Sequence, residues 1–112
     1  MGKKRDNSTL RDKIDVRVRL LHLIGGSPAV LETHGGWGRF YRSCYSHLPE
    51  GVVFELDQAK ANVLAVQRPT WAVYRGNATD ALNAGACAET PFGVVDIDPY
   101  GDPWPTIEAI FR

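Results

Sequence analysis

Residues 52–74 are VVFELDQAKANVLAVQRPTWAVY, two short apolar runs with a helix-like segment between them. The first run continues to Asp57, the helix-like segment covers Ala59 to Gln67, and Pro69 stops it before the second run begins at Trp71. This pattern predicts a βα unit, whose strands lie parallel. Parallel strands are buried on both faces, which explains why the runs are continuously apolar and do not alternate.

The same rhythm extends in both directions along the chain. Upstream, an apolar run at residues 29–31 enters a glycine cluster and a helix-like stretch at 40–48. Downstream, an alanine-rich stretch at 78–88 precedes a fourth run at 92–97, and a final helix starts near Pro105. Strands that alternate with helices in this way predict an α/β fold with a parallel sheet of about four strands.

The first 28 residues are predicted to form a basic lead and a helix ahead of the domain at 29–112. Residues 1–9 are polar, and apolar residues from Leu10 to Ile24 favour a helix capped near Ser8 or Thr9. Seven basic residues within the first twenty oppose three acidic ones, so this segment either contacts phosphate groups or forms a solvated face. The basic residues are Lys3, Lys4, Arg5, Arg11, Lys13, Arg17 and Arg19, and the acidic ones are Asp6, Asp12 and Asp15.

Composition limits the protein class. The chain has 112 residues, of which 44% are hydrophobic and 23% are charged, with 13 basic residues balancing 13 acidic ones. These values predict one soluble globular domain and exclude collagen-like and coiled-coil chains. The sequence has neither an apolar run long enough for a membrane helix nor a signal peptide. Two cysteines are too few for a disulfide framework, so we expect a reducing, cytoplasmic environment and no membrane partner.

Polar side chains stand at the end of each predicted strand. They are Glu32, Asp57, Asn77 and Asp98, one for each βα unit. Open parallel sheets bind ligands at the carboxyl ends of their strands, so we expect these four residues to surround a ligand site. The dinucleotide fingerprint would need a glycine where Tyr41 stands, and the phosphate-binding P-loop pattern is absent, so neither type of site is predicted.

Residues 30–38, VLETHGGWG, resemble the first motif of class I S-adenosylmethionine-dependent methyltransferases. That motif is an acidic residue after two apolar ones, followed by a glycine loop that ends in G-x-G. The resemblance extends over residues 29–112 and implies S-adenosylmethionine as cofactor. Asp57 matches the acid after the second strand that accepts hydrogen bonds from the ribose, and Asn77 matches the residue that contacts the adenine edge. The implied cofactor-binding residues are Glu32, His34, Gly36, Gly38, Asp57, Asn77 and Ala78.

Residues 96–103, DIDPYGDP, are similar to the D-x-D-P-F-G-x-P segment of tRNA guanine-N2 dimethyltransferases. This similarity implies that Asp98, Pro99 and Tyr100 are the catalytic residues and that the target is an amino group of an RNA or DNA base. The Asp98 carboxylate or the Pro99 carbonyl would bind the amino hydrogens, while Tyr100 would stack on the base. No metal is required, because methyl transfer depends mostly on positioning.

The resemblance also implies a three-layer, Rossmann-like sheet ordered 3-2-1-4. The family's sheet has more strands than the four predicted here, so the chain corresponds to the N-terminal half of the usual fold. An unpaired edge on the fourth strand is a site where two copies could associate into a homo-oligomer. A non-catalytic cofactor-binding or interaction module, and a truncated, inactive methyltransferase, are the alternatives to an active enzyme.

Each candidate residue also has a structural interpretation. Asp57 would simply cap the following helix, Asn77 would belong to a turn, and Asp98 with Pro99 would form a turn before a helix. His34 would be an ordinary loop histidine, and Asp96 would be a buried carboxylate that needs a partner. Two cysteines and three tryptophans are predicted to pack in the interior: Cys44, Cys87, Trp37, Trp71 and Trp104.

Overall fold

The computed structural model describes residues 7–99 and 101–111, a chain of alternating helices and strands. The elements in chain order are α1 (Asn7–Ile24), β1 (Val30–Glu32), a π-helical segment (Tyr41–Tyr45), β2 (Gly51–Glu55), α2 (Gln58–Gln67), β3 (Ala72–Arg75), α3 (Ala78–Asn83), β4 (Val94–Asp96) and α4 (Trp104–Ile110). The predicted basic lead falls partly on residues 1–6, which lie outside the described residues.

The four strands form one parallel sheet in the order β3-β2-β1-β4. This order confirms the predicted α/β fold and the predicted 3-2-1-4 topology. The register places Glu32 of β1 level with Val53 of β2 and with Asp96 of β4. The carboxyl ends of the strands therefore meet along one edge of the sheet, where the predicted site residues follow.

The sheet is covered by helices on both faces because each strand alternates its side chains. On one face Val30, Val53 and Val94 share a core with the π-helical segment and with α2, and α1 packs against the π-helical segment. On the other face Leu31 and Phe54 pack against α3. The sheet is therefore the middle layer of a three-layer fold, with one core on each side of it.

Helix α1 belongs to the first of these cores. Leu10, Ile14 and Leu21 are partly buried and pack against it. The opposite side of α1 leaves Val16 and Leu23 exposed. Within the described residues, no helix has both the length and the apolar character needed to cross a membrane.

Two strand boundaries differ from the prediction. The second strand ends at Glu55 and not at Asp57, because Leu56 is 65% exposed and the chain has already left the sheet. The fourth strand covers only Val94–Asp96, within the longer predicted run. Apolar side chains continue past both strand ends, so hydropathy alone does not mark where the hydrogen bonding stops.

Two helices also differ from the prediction. The alanine-rich stretch is helical only to Asn83, because Gly85 and Cys87 adopt positive φ angles of 96° and 61° that a right-handed helix does not allow. The stretch after the glycine cluster forms a π-helical segment in place of the regular helix predicted over 40–48.

The predicted interior residues are only partly interior. Trp71 and Cys44 are buried in the first core, and Cys87 is half-buried against the second. Trp37 and Trp104 are exposed, so the prediction that they pack in the interior is wrong.

Candidate functional site

A cleft with a volume of about 940 Å³ lies at the carboxyl ends of the strands. The structure brings seven of the predicted site residues to its wall: His34, Gly36, Asp57, Asn77, Ala78, Asp98 and Pro99. Glu32 and Gly38 are not part of the wall, and Tyr100 lies outside the described residues. The topology thus brings residues that are far apart in sequence to one site, as expected for a parallel sheet.

The glycine loop after β1 is fixed in one conformation. Gly36 and Gly38 have φ angles of 56° and 83°, which side chains other than glycine rarely adopt. The Gly35 N–H donates to the Phe54 carbonyl oxygen at 2.9 Å, and the Gln67 amide donates to the Gly38 carbonyl oxygen at 3.2 Å. Gly38 therefore contacts Gln67 of α2 and does not line the cleft.

Glu55 is a site residue that the sequence analysis missed. It is the acid at the true end of β2, and it lines the cleft. Its Oε1 accepts a hydrogen bond from the Gly36 N–H and its Oε2 accepts one from the Asp57 N–H, each at 2.8 Å. Glu55 therefore joins the glycine loop to the start of α2. An interpretation of the sequence that ended the second strand at Glu55, two residues before Asp57, would have identified it.

Asp57 and Asn77 cap the helices that follow them. The Asp57 carboxylate accepts a hydrogen bond from the Lys60 N–H at 2.9 Å, and the Asn77 side-chain oxygen accepts one from the Asp80 N–H at 3.0 Å. The structural interpretation is therefore correct for Asp57, and Asn77 is a helix cap. Both side chains also line the cleft, and a cap uses only part of their hydrogen-bonding capacity.

His34 lines the cleft with its tautomer set by a neighbouring hydroxyl. The Thr33 hydroxyl donates to the Asp96 carbonyl oxygen at 3.3 Å and lies 2.7 Å from His34 Nδ1. With this arrangement the ring donates from Nδ1 and keeps Nε2 as an acceptor. Burial lowers the pKa of His34, against the carboxylates of Glu55 and Asp98, which raise it.

Helix α1 forms part of the wall of the cleft beside the loop that follows β4. Thr9, Leu10 and Lys13 line the cleft, and Lys13 Nζ lies 3.0 Å from Asp98 Oδ1. Both partners of this ion pair are partly exposed, so its contribution to stability is small. α4 begins at Trp104, five residues after Pro99, so Asp98 and Pro99 belong to a loop and do not start a helix.

Glu32 is buried in the core beside Arg68 and does not line the cleft. Its side chain is fully buried, and Oε1 lies 2.6 Å from the guanidinium of Arg68, which is itself buried. The Arg68 guanidinium lies over the rings of Tyr41 and Trp71. Burial raises the pKa of Glu32 to about 7, although Arg68 favours the charged form. Glu32 was predicted as a cofactor ligand, but it lies behind the cleft wall.

Asp96 is a buried carboxylate that has hydrogen-bonding partners, as the sequence analysis predicted. It accepts two hydrogen bonds from the Arg17 guanidinium and one from the Tyr45 hydroxyl. Burial and the adjacent Asp96 carboxylate together raise the pKa of Tyr45. These contacts fix the end of β4, two residues before Asp98.

The cleft wall combines carboxylates, an amide, a histidine and a glycine loop. Among the described residues, no group of three His, Cys, Asp or Glu side chains is placed to hold a metal ion. Comparisons of the chain with protein-family models, with curated proteins and with solved structures give no match. The function is therefore inferred from the side chains that line the cleft.

Proposed function

We propose that this chain binds S-adenosylmethionine in the cleft and is a methyltransferase-like domain directed at an amino group of a nucleic-acid base. The observation that carries the proposal is the convergence of a glycine loop, three carboxylates and an amide at the carboxyl ends of parallel strands. A cleft of about 940 Å³ is also within the range that holds small-molecule cofactors.

The groups that follow β2 and β3 fit a nucleoside. Glu55 and Asp57 supply carboxylate oxygens, which accept hydrogen bonds from ribose hydroxyls. The Asn77 amide retains its NH₂ group as a donor toward a ring nitrogen, since its cap uses the oxygen. The exposed Leu56 side chain offers apolar surface beside them for a flat ring.

Lys13 and Asp98 supply opposite charges where α1 meets the loop after β4. The Lys13 ammonium fits the carboxylate of an amino-acid group. The Asp98 carboxylate and the Pro99 carbonyl are acceptors that would bind the hydrogens of an acceptor amine and orient its lone pair. When bound, the cofactor would supply an electrophilic methyl group.

The Lys13–Asp98 ion pair supports a second candidate, a cofactor-binding module without catalytic activity. Lys13 Nζ lies 3.0 Å from Asp98 Oδ1, so an acceptor amine would compete with the lysine for this carboxylate. The two candidates share the cofactor and differ in methyl transfer, so binding and transfer are measured separately.

Calorimetric titration of S-adenosylmethionine into the full chain tests the shared part. We expect micromolar affinity for the unchanged chain and at least tenfold weaker binding for Asp57→Asn and Glu55→Gln. Asparagine caps a helix as well as aspartate does, so Asp57→Asn removes the charge and keeps α2. Asp15→Asn, on the exposed face of α1, is the matched control. A folded chain that does not bind the cofactor overturns the proposal.

Transfer of a radiolabelled methyl group to tRNA and to DNA separates the two candidates. The enzyme candidate predicts transfer that Asp98→Asn abolishes while cofactor affinity is retained. Cofactor binding without transfer to either nucleic acid favours the non-catalytic module.

A further inference from the structure

The side chain of Trp37 is exposed at the mouth of the cleft. Its indole is 53% exposed, although a tryptophan without a partner is costly to leave in water. It also lines the cleft, and it stands between Gly36 and Gly38, whose left-handed conformations turn the loop at this point. About half of the Trp37 surface is therefore open to solvent.

Hydrogen bonds hold the backbone of the loop that carries this indole. The Arg42 guanidinium donates to the Trp37 carbonyl oxygen at 2.7 Å, and the Gly38 N–H closes a turn onto the Gly35 carbonyl oxygen at 3.0 Å. The Glu55 carboxylate holds the Gly36 N–H on the other side of the tryptophan. A loop whose backbone is already ordered loses less conformational entropy when it binds a partner.

One cationic side chain lies near the ring, and two others belong to the same cleft or the same loop. Lys60 Nζ lies 5.6 Å from the centroid of the Trp37 ring, and Arg39 lines the same cleft. Arg42 is held at the Trp37 carbonyl and is exposed. An exposed aromatic ring among cations is the combination that binds single-stranded nucleic acid, with a base on the ring and phosphates on the cations.

We propose that Trp37, with Arg39, Arg42 and Lys60, is a platform that binds a single strand of nucleic acid at the mouth of the cleft. A base stacks on the indole, and the cations contact the adjoining phosphates. This site deepens the nucleic-acid part of the proposed function and rests on that function for the link to methyl transfer. Binding of the strand itself does not require the cofactor.

Fluorescence anisotropy of a labelled, mixed-sequence single-stranded RNA of twelve nucleotides, and of the matching DNA, tests the platform. We expect Trp37→Ala to lower the affinity by roughly tenfold to a hundredfold and Trp37→Phe to restore most of it. Lys60→Gln should reduce the slope of log affinity against log salt by roughly 0.7 for each phosphate that the side chain neutralises. Phe111→Ala, at another exposed aromatic residue, is the matched control.

Parallel titration with S-adenosylmethionine separates this inference from the proposed function. Strand binding that is measured without the cofactor, and that Trp37→Ala weakens, supports the platform. The platform stands, and the proposed function fails, when the chain binds the strand through Trp37 and does not bind the cofactor. The platform is overturned when the folded chain does not bind the strand. It is also overturned when Trp37→Ala binds the strand as tightly as the unchanged chain, whether or not the variant has a lower affinity for the cofactor.

Discussion

Arg17 of α1 binds Asp96 at the end of β4 through two parallel contacts, Nε to Oδ2 at 2.6 Å and Nη2 to Oδ1 at 2.7 Å. Little of either side chain is exposed, and the guanidinium also lies 3.8 Å from the centroid of the Phe40 ring. The Tyr45 hydroxyl completes the partners of the carboxylate. This ion pair attaches α1 to the sheet beside the cleft that α1 helps to form.

Replacing Arg17 by methionine is expected to destabilise the fold substantially. The variant keeps an apolar stem but leaves the buried Asp96 carboxylate with Tyr45 as its remaining partner. An unpaired buried charge of this kind costs about 3 kcal/mol of unfolding free energy, and up to about 5. Urea unfolding followed by circular dichroism measures the difference.

Two further variants make that measurement specific. Arg19→Met, on the exposed face of the same helix, should change the unfolding free energy by no more than about 0.5 kcal/mol. Adding Asp96→Asn to Arg17→Met should recover part of the stability, because the unpaired charge is removed. An Arg17→Met chain as stable as the unchanged one would show that the ion pair does not hold α1.

Stability is expected to fall as the pH rises from about 5 to 8, because of Glu32. Burial raises the pKa of its carboxyl group to about 7 from the ordinary 4.5, so the folded chain binds the proton more tightly than the unfolded chain. The stabilisation is complete below the unfolded pKa and disappears as the pH passes the folded one. The shift corresponds to roughly 3 kcal/mol, measurable by urea unfolding at each pH.

Glu32→Gln tests the origin of this pH dependence. The variant cannot ionise at this position, so the fall in unfolding free energy with rising pH should disappear. The dependence that remains should have the opposite sign, because burial lowers the pKa of His34 and the folded chain then binds that proton less tightly than the unfolded chain. The variant should also be less stable than the unchanged chain at neutral pH, because Arg68 is buried and would be without its carboxylate partner. A pH profile that is the same with and without Glu32 would assign the effect to another group.

Much of the fold was predictable because each strand of a parallel sheet is a short, continuous run of apolar residues. The runs around Val30, Val53, Val73 and Val94 each contain a strand, and their order in the sheet follows the resemblance. The end of β2 was misplaced because Leu56 is apolar and yet exposed. Local composition therefore predicts which segments are strands better than it predicts where each one ends.

The candidate site was predictable where it depends on topology and not where it depends on side-chain direction. Asn77 and Asp98 reach the cleft because every strand ends at the same edge. Glu32 also stands at a strand end, but its side chain points to the core and meets Arg68, thirty-six residues away in sequence. Such a contact has no local signal, and neither does the exposure of Trp37.

Asp57→Ala and Asp57→Asn are expected to separate the two roles of Asp57. Alanine removes the cap of α2 and should lower the unfolding free energy by about 1 kcal/mol, whereas asparagine keeps the cap and should leave stability nearly unchanged. Thermal or urea unfolding measures both variants, and Asp12→Ala on α1 serves as an exposed carboxylate control. Equal destabilisation in the two variants would mean that the charge, and not the capping oxygen, stabilises α2.

The two cysteines should react with a thiol reagent at different rates. Cys44 is buried beside α1, and burial raises the pKa of its thiol to about 11, so very little thiolate forms near neutral pH. Cys87 is half-buried, and burial also raises the pKa of its thiol. We expect one thiol to react in the folded chain and the second only upon unfolding, because the thiolate is the reactive species and must be accessible.

The single variants Cys44→Ser and Cys87→Ser assign these two phases. Cys87→Ser should remove the phase seen in the folded chain, and Cys44→Ser should remove the phase that requires denaturant. The slow phase should also accelerate in Arg17→Met, since α1 covers Cys44 and is then no longer attached to Asp96. If Cys44 reacts as fast as Cys87 without denaturant, α1 opens readily and its attachment to the sheet is weaker than the Arg17–Asp96 geometry indicates.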